Sequence, residues 1–485
     1  MMDTKKYLWL LFAFLVLSSC TYDFPEEDLF AEHLGDISVE KVISLGDDYL
    51  AGVMDGALYS EGQNNSMAAI TVAQLNKIEE VQFIQPEIKT ENGFNLYAST
   101  ENEIFGKWIY QYQNQTDENP QMILTSGDQI QDFTGNKDLL NDLTIPLLKV
   151  NDLVNTQFQK NPFLSRVFHD DIISLIDPVI QQSPSFVICL FGMNDFLSFA
   201  MNGATEDETL TSAETFQVNL ELFIDEFIQK TNGKMVIGNL VSIKDLPYFY
   251  INQYNFIRFF SGEGGKAQAS FAPFNAAVAI YNVGKPLELK RPMISFEDPG
   301  THHPERVVVV DEALPDAFYP DGRSLEKYRQ LTEGEMALFS ITSEMVANGF
   351  GSLIPLTHEY YLSHSQIDLI EERLNAFNQI ISNSVQIHSE RIVVADVNNA
   401  VHRIAETAKM DAWGIRVLDE TIYVEGVPLE GNLDQNSIFS LDAVHFNQRG
   451  NSFIANVFIE TINSGFNANI PLAEINDYIG NIYKY

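Results

Sequence analysis

The chain has 485 residues, enough for one large domain or two smaller ones, and its 45% hydrophobic and 12% aromatic content suits a globular protein with an ample core. Its 67 acidic against 29 basic residues leave a formal net charge of −38. That balance argues against nucleic-acid binding, because neutralising phosphates needs clustered Lys and Arg, and it is read instead as a solvated acidic surface.

The first residues, MMDTKK, place Lys5 and Lys6 ahead of the apolar run YLWLLFAFLV and then LSSC, ending at Cys20. The run is short for a bilayer span, and basic, apolar and small residues follow in the order of a secretory signal peptide. A cysteine directly after Leu17-Ser18-Ser19 resembles the lipobox of bacterial lipoproteins, which implies lipidation at Cys20, with residues 1–20 as signal peptide. The acidic stretch TYDFPEEDLFAEHLGD then reads as a tether over 21–38. One continuous globular body is expected over 39–485, since no repeat or low-complexity block follows. The other cysteine, Cys189, is expected to sit inertly on a buried strand, so no disulfide and no cysteine-based metal site can form.

Short, β-branched apolar runs predict buried parallel strands at KVISLG (41–46), FVICLFG (186–192), KMVIGNL (234–240) and RIVVADV (391–397). Between them, Phe216, Leu220, Phe223, Ile224 and Phe227 recur at helical spacing. A second helix is predicted from Ser363, with Gln366 as capping-box partner and a stripe through Ile367, Ile370, Leu374, Phe377 and Ile381. A last helix is predicted after Gly450. Strands alternating with helices imply an α/β doubly wound parallel sheet, whose ligands bind at the carboxyl ends of the strands. Residues 250–385, with a short strand at RVVVVDEAL, read as a large insertion on that core.

Three blocks carry chemistry. Gly46-Asp47-Asp48 ends the first strand, Gly192-Met193-Asn194-Asp195 follows the second, and Ser440-Leu441-Asp442-Ala443-Val444-His445 precedes the final helix. A carboxylate three residues before a histidine can hold one ring nitrogen and stabilise an imidazolium, although such pairs are common as structural features. Asn194 can aim an amide at a developing oxyanion or simply bond its own turn. Thr301-His302-His303 and His358 read as loop polarity, and no metal site is expected.

In this order the blocks resemble the SGNH (GDSL-type) hydrolase superfamily, and the large lipoprotein branch of it found in Bacteroidetes-type bacteria. GDDYLAGVMDGALYSEGQ, NPFLSRV, LFGMNDFLSFAMNG and SLDAVHFNQRGNSFIANVFIETIN carry the resemblance across the mature chain. It implies a flavodoxin-like sheet and a serine esterase plan without cofactor. His445 would be the base and Asp442 its orienting acid. Asn194 and a glycine, matched to Gly127 in ILTSGDQIQDF, would be the oxyanion donors. The serine, however, is replaced by Asp48. Ser44 lies inside the strand, and Ser60 and Ser66 come well after the turn. An aspartate has no hydroxyl proton to surrender and is a poor nucleophile toward an ester.

Three expectations follow. The first is a degenerate, outer-membrane lipoprotein that binds a small acyl, glycan or peptide ligand and no nucleic acid. The second is an active hydrolase using Asp48 as nucleophile or base. The third is a structural or assembly lipoprotein.

Overall fold

The computed structural model describes residues 31–485 apart from 101, 113–120, 157–160, 171, 206–208, 298–302, 411–420 and 485. The expected signal peptide, Cys20 and the first part of the tether lie outside the described residues. Residues 33–37 do not behave as a tether. His33 pairs with Asn469, the Asp36 N–H donates to the Phe466 carbonyl, and Ile37 is buried.

The four expected strands form one parallel sheet in the order β1 (Val42–Gly46), β4 (Phe186–Leu190), β5 (Lys234–Gly238) and β6 (Ile392–Ala395). All residues of β1 and β4 are buried, as expected for strands covered on both faces. Cys189 lies in β4, fully buried, where burial pushes its thiol up and leaves it inert.

A fifth segment extends the sheet without forming a regular strand. The Ser44 N–H donates to the Asn141 carbonyl, the Leu143 N–H to the Ser44 carbonyl and the Ile145 N–H to the Gly46 carbonyl. Residues 141–145 therefore run alongside the free edge of β1. In chain order the sheet then reads 2-1-3-4-5, the flavodoxin-like arrangement, in which β1 and β4 diverge at the switch point.

Helices cover both faces. The short α1 (Asp48–Ala51) follows β1, and α2 (Met67–Leu75), α3 (Ala213–Lys230), α6 (His364–Gln386) and α7 (Gln448–Gly465) bury their apolar stripes in the main core. Phe216 of α3 stacks on Phe377 of α6 with ring centroids 4.1 Å apart. The Ser363 capping box forms as expected. The last helix starts earlier than expected: Asn447 is its N-cap, and its side chain accepts the Gly450 N–H inside the first turn.

The insertion divides differently from the 250–385 outline. Residues from about 257 to 361 build two satellite apolar clusters, one of them around α4 (Glu263–Ser270) and α5 (Ala272–Tyr281), with short antiparallel pairs such as Val308–Val310 against Tyr328–Gln330. Helix α6 belongs to the main core instead, because its five-residue stripe packs there. A separate hairpin, β2 (Phe105–Gln111) and β3 (Gln121–Ser126), stands beside the β1 end of the molecule and carries Trp108.

Candidate active site

Gly46 is where the site begins. A Cβ there would lie 2.3 Å from the Leu190 carbonyl and 2.8 Å from Leu50 Cβ, so only glycine lets β1 turn into α1 this tightly. Asp47 caps the helix through the Tyr49 N–H at 3.2 Å, and its other oxygen accepts the N–H groups of Gly192 and Met193, both at 3.1 Å. One carboxylate thus ties the first block to the second. Burial and the adjacent Asp48 push its pKa well above the usual carboxylate range.

Asp48 is fully buried. Its Oδ1 accepts the backbone N–H of Leu147, and its Oδ2 lies 3.5 Å from His445 Nε2. The far side of the imidazole is held more tightly: Nδ1 meets Asp442 Oδ2 at 2.8 Å. Asp442 also accepts the Gly56 N–H at 2.6 Å, the Ser440 hydroxyl at 3.1 Å and the N–H groups of Val444 and His445 at 2.9 and 2.8 Å. Burial alone would raise the Asp442 pKa, but the imidazolium and these donors hold it below the ordinary value. Burial alone would lower the pKa of His445, yet Asp442 and Asp48 raise it to about 10. At neutral pH the ring is therefore an imidazolium between two carboxyl groups, with no lone pair to accept a proton.

None of Ser44, Ser60 and Ser66 stands in for Asp48. Ser44 Oγ donates to Asp142 at 2.8 Å inside the sheet, Ser60 Oγ donates to the Ile88 carbonyl, and Ser66 caps α2 through the Ala69 N–H. Ser440 is spent on Asp442 and on the Asp55 N–H.

The expected oxyanion glycine requires correction. The Gly127 N–H donates to the Ile104 carbonyl at 3.1 Å, just past β3, and is committed to that hairpin. The backbone donor that reaches Asp48 belongs to Leu147, two residues beyond the edge segment 141–145. Leu147 has φ +63, the left-handed region that favours glycine, and this turns its N–H toward Asp48. Asn161 supports the turn by donating to the Pro146 carbonyl at 2.8 Å. A search for glycine passes over this position because the residue there is leucine. Asn194 sits in the turn after Gly192, its Nδ2 buried and without a hydrogen-bond partner among the described residues. Asp48 Oδ2 and His445 Nε2 are likewise without hydrogen-bond partners.

Above these residues opens a cavity of about 1230 Å³, lined by Tyr97, Trp108, Leu147, Tyr248, Tyr360 and Asp442 among others. Asp48 and His445 do not reach its surface. Tyr97 stacks on His445 with ring centroids 6.2 Å apart, and Tyr49 packs on the same ring, tilted, at 5.0 Å. Tyr97 lines the cavity, and loss of solvent around its hydroxyl with the Asp48 and Asp442 carboxylates holds the hydroxyl pKa above the ordinary value. Sequence reasoning missed Tyr97 and Leu147, which belong to no recognisable block, and the Asp55–Gly56 turn, which lies inside the first block.

Among the described residues, Asp245, His402 and Glu406 come close enough to share a metal ion. Lys409 Nζ already sits between Asp245 at 3.0 Å and Glu406 at 2.5 Å, so the negative charge is answered without one. Thr301 and His302 lie outside the described residues; His303 is half-buried against Glu297 and Glu305, and His358 lies beside Glu359, which lines the cavity.

No family model matches the chain, and no curated protein matches it significantly. Among solved structures, it superposes on a mutant of Axe2, an acetyl-xylooligosaccharide esterase from Geobacillus stearmophilus. The alignment covers 88% of this chain and 96% of that one at 10% identity, with a TM-score of 0.32. A superposition of that quality carries no argument about fold or chemistry, which rest on the sheet order and the site itself.

Proposed function

We propose that this chain is a catalytically degenerate SGNH-type lipoprotein that binds a small acyl or glycan ligand in the cavity above Asp442 and Tyr97. The observation that carries the reading is the Asp48–His445–Asp442 array. A carboxylate occupies the nucleophile position, takes up the Leu147 N–H that would otherwise face an oxyanion, and helps hold the base protonated. General-base activation of a hydroxyl or a water needs a free imidazole nitrogen, and this array leaves none at neutral pH. The mixed aromatic and polar cavity lining suits a small organic ligand.

An alternative keeps Asp48 as a nucleophile toward an sp3 carbon, or as base for a water. Its complete burial, away from the residues that line the cavity, favours the binding reading. Attachment to the outer membrane through Cys20, on the periplasmic face or the cell surface, belongs to the same proposal and is supported by the order of the first twenty residues.

The test is a comparison of wild type with Asp48→Ser on p-nitrophenyl acetate and butyrate. The wild type is expected to show no turnover above background. Asp48→Ser is expected to gain activity that His445→Ala removes. Wild-type turnover lost in His445→Ala would overturn the binding reading, and so would a covalent adduct on Asp48 seen by mass spectrometry with epoxide or halide substrates. A bound ligand is expected to raise Tm, since it binds only the folded chain.

A further inference from the structure

The lining of the cavity discriminates between the ligand classes it could take. Its aromatic side chains come from separate segments: Trp108 from β2, Tyr97 from the stretch before that strand, and Phe339 and Tyr360 from the insertion. Trp108, Phe339 and Tyr360 are each half-buried, so part of every ring stays open. A Cβ built at Gly56 would lie 3.4 Å from Trp108 Cδ1, and the Gly56 N–H donates to Asp442 at 2.6 Å. The indole therefore stands at the Asp442 end of the cavity. Tyr97, stacked on His445, stands there with it.

The same lining carries polar groups that the fold leaves unused. Asn151 follows the Leu147 turn, Ser198 lies on the short helix Leu197–Met201, and Thr209 precedes α3. None of these three side chains hydrogen-bonds another described residue. A long acyl chain is a poor match for such a wall. It offers no hydrogen bond, and would strip water from these groups without replacing it. Charge narrows the choice again. Asp152, Glu359 and Asp442 line the cavity against Lys149 alone, in a chain of net charge −38, which disfavours an anionic ligand. Size excludes a single ring, because about 1230 Å³ exceeds the roughly 300–1,000 Å³ of sites for drug-sized ligands.

We infer that the ligand is a neutral oligosaccharide of two or more rings, seated on Trp108 at the Asp442 end and on Tyr360 of the insertion. A pyranose has C–H groups on its faces and hydroxyls around its rim. Its faces lie on the aromatic rings, while its rim exchanges hydrogen bonds with Asn151, Ser198 and Thr209. This rests on the binding reading proposed above and names the ligand of that same site.

The test presents the full chain to an array of neutral and acidic glycans, then titrates the tightest neutral binder. Trp108 is one of three tryptophans, so its emission is read as the difference between wild type and Trp108→Phe. Neutral oligosaccharides are expected to bind, more tightly than their monosaccharides, and to change the Trp108 emission. Trp108→Ala and Tyr360→Ala are expected to weaken binding several-fold, Trp108→Phe to retain most of it, and Tyr423→Ala, exposed on a hairpin outside the cavity, to leave it unchanged. Should Trp108→Ala fail to fold, the emission change and Tyr360→Ala decide the matter. Binding to no neutral glycan, or a monosaccharide bound as tightly as its oligomers, would overturn the inference. Binding of dodecanoate with no neutral glycan would overturn it and leave the degenerate-site reading standing. Esterase turnover that depends on His445 would end that reading, while the sugar titration still decides this one.

Discussion

At the scale of single residues, the site is decided by unequal shares of hydrogen bonds. Asp442 accepts on both oxygens from five donors, whereas Asp48 holds one backbone N–H and leaves Oδ2 facing an imidazolium at 3.5 Å. His445, already raised by Asp442, is raised further by Asp48, so Asp48→Ser or Asp48→Asn should lower its pKa from about 10. An NMR titration of the ring proton measures this, and an unchanged value would mean that Asp48 and His445 do not interact. Leu147 carries a second expectation. A leucine held at φ +63 costs about 1–2 kcal/mol that glycine does not. In Asp48→Ser the Leu147 N–H is freed to donate to an oxyanion, and Leu147→Gly also removes a side chain that lines the cavity. The double variant should therefore exceed Asp48→Ser in kcat/KM. No gain from the second substitution would show that access to Asp48 is not limited by Leu147.

At the scale of elements, the junction of β1 and α1 does most to position the site. A four-residue helix has no stability of its own. It persists because Asp47 caps it and, through the same side chain, holds the Gly192 and Met193 N–H groups after β4. Asp47→Ala strands three buried donors and should cost about 2–4 kcal/mol in urea unfolding. A loss below about 0.5 kcal/mol would mean that the turn holds itself. The four strands could be read from the sequence because both faces are covered and each run is continuously apolar. The edge segment 141–145 could not, because Asn141, Asp142 and Thr144 break the run. Their side chains are themselves structural: Asn141 donates to the Val42 carbonyl, while Asp142 accepts from Ser44 and Thr144. Helix α6 was legible as a helix, but its membership of the main core depends on Phe216 of α3 meeting Phe377.

At the scale of the whole molecule, buried acids set the response to pH. Burial raises Asp55 and Asp142 to about 6 and Asp195 to about 7, against the donors that bond them. A carboxyl whose folded pKa lies above its unfolded value supports the fold fully below about pH 4 and loses that support as pH rises through 6 to 7. His445 has the same sign over a higher window, supporting the fold below about 6.5 and ceasing to as pH rises through 10. Asp442 opposes both, since its lowered pKa withdraws support only in acid. Repulsion within a chain of net charge −38 adds to the alkaline loss. Tm should thus fall by several degrees, about 3–8 °C, from pH 5 to pH 8. Asp195→Asn should flatten part of that slope, because it removes the titration while keeping an acceptor for the Val150 N–H at 2.9 Å. A Tm rising from pH 5 to 8 would contradict the assignment of these acids as buried and raised.

The sequence by itself determined the elements that depend on local pattern. These are four buried parallel strands, the amphipathic helices between them, the capping box at Ser363, and the pairing of Asp442 with His445 across one turn. Each is a relation between residues close in the chain, governed by periodicity or by a fixed offset. Tertiary structure alone decided what meets what across the sheet: Leu147 rather than Gly127 at Asp48, the Asp47 carboxylate on the second block, and Tyr97 over His445. Those contacts join residues from 99 to 348 positions apart, and no local period records them. The decisive one is a leucine in a backbone conformation that sequence rules reserve for glycine, held there by the edge segment on β1. That placement is why the aspartate at position 48 is a bonded, buried partner of His445 rather than a free group in an open crevice.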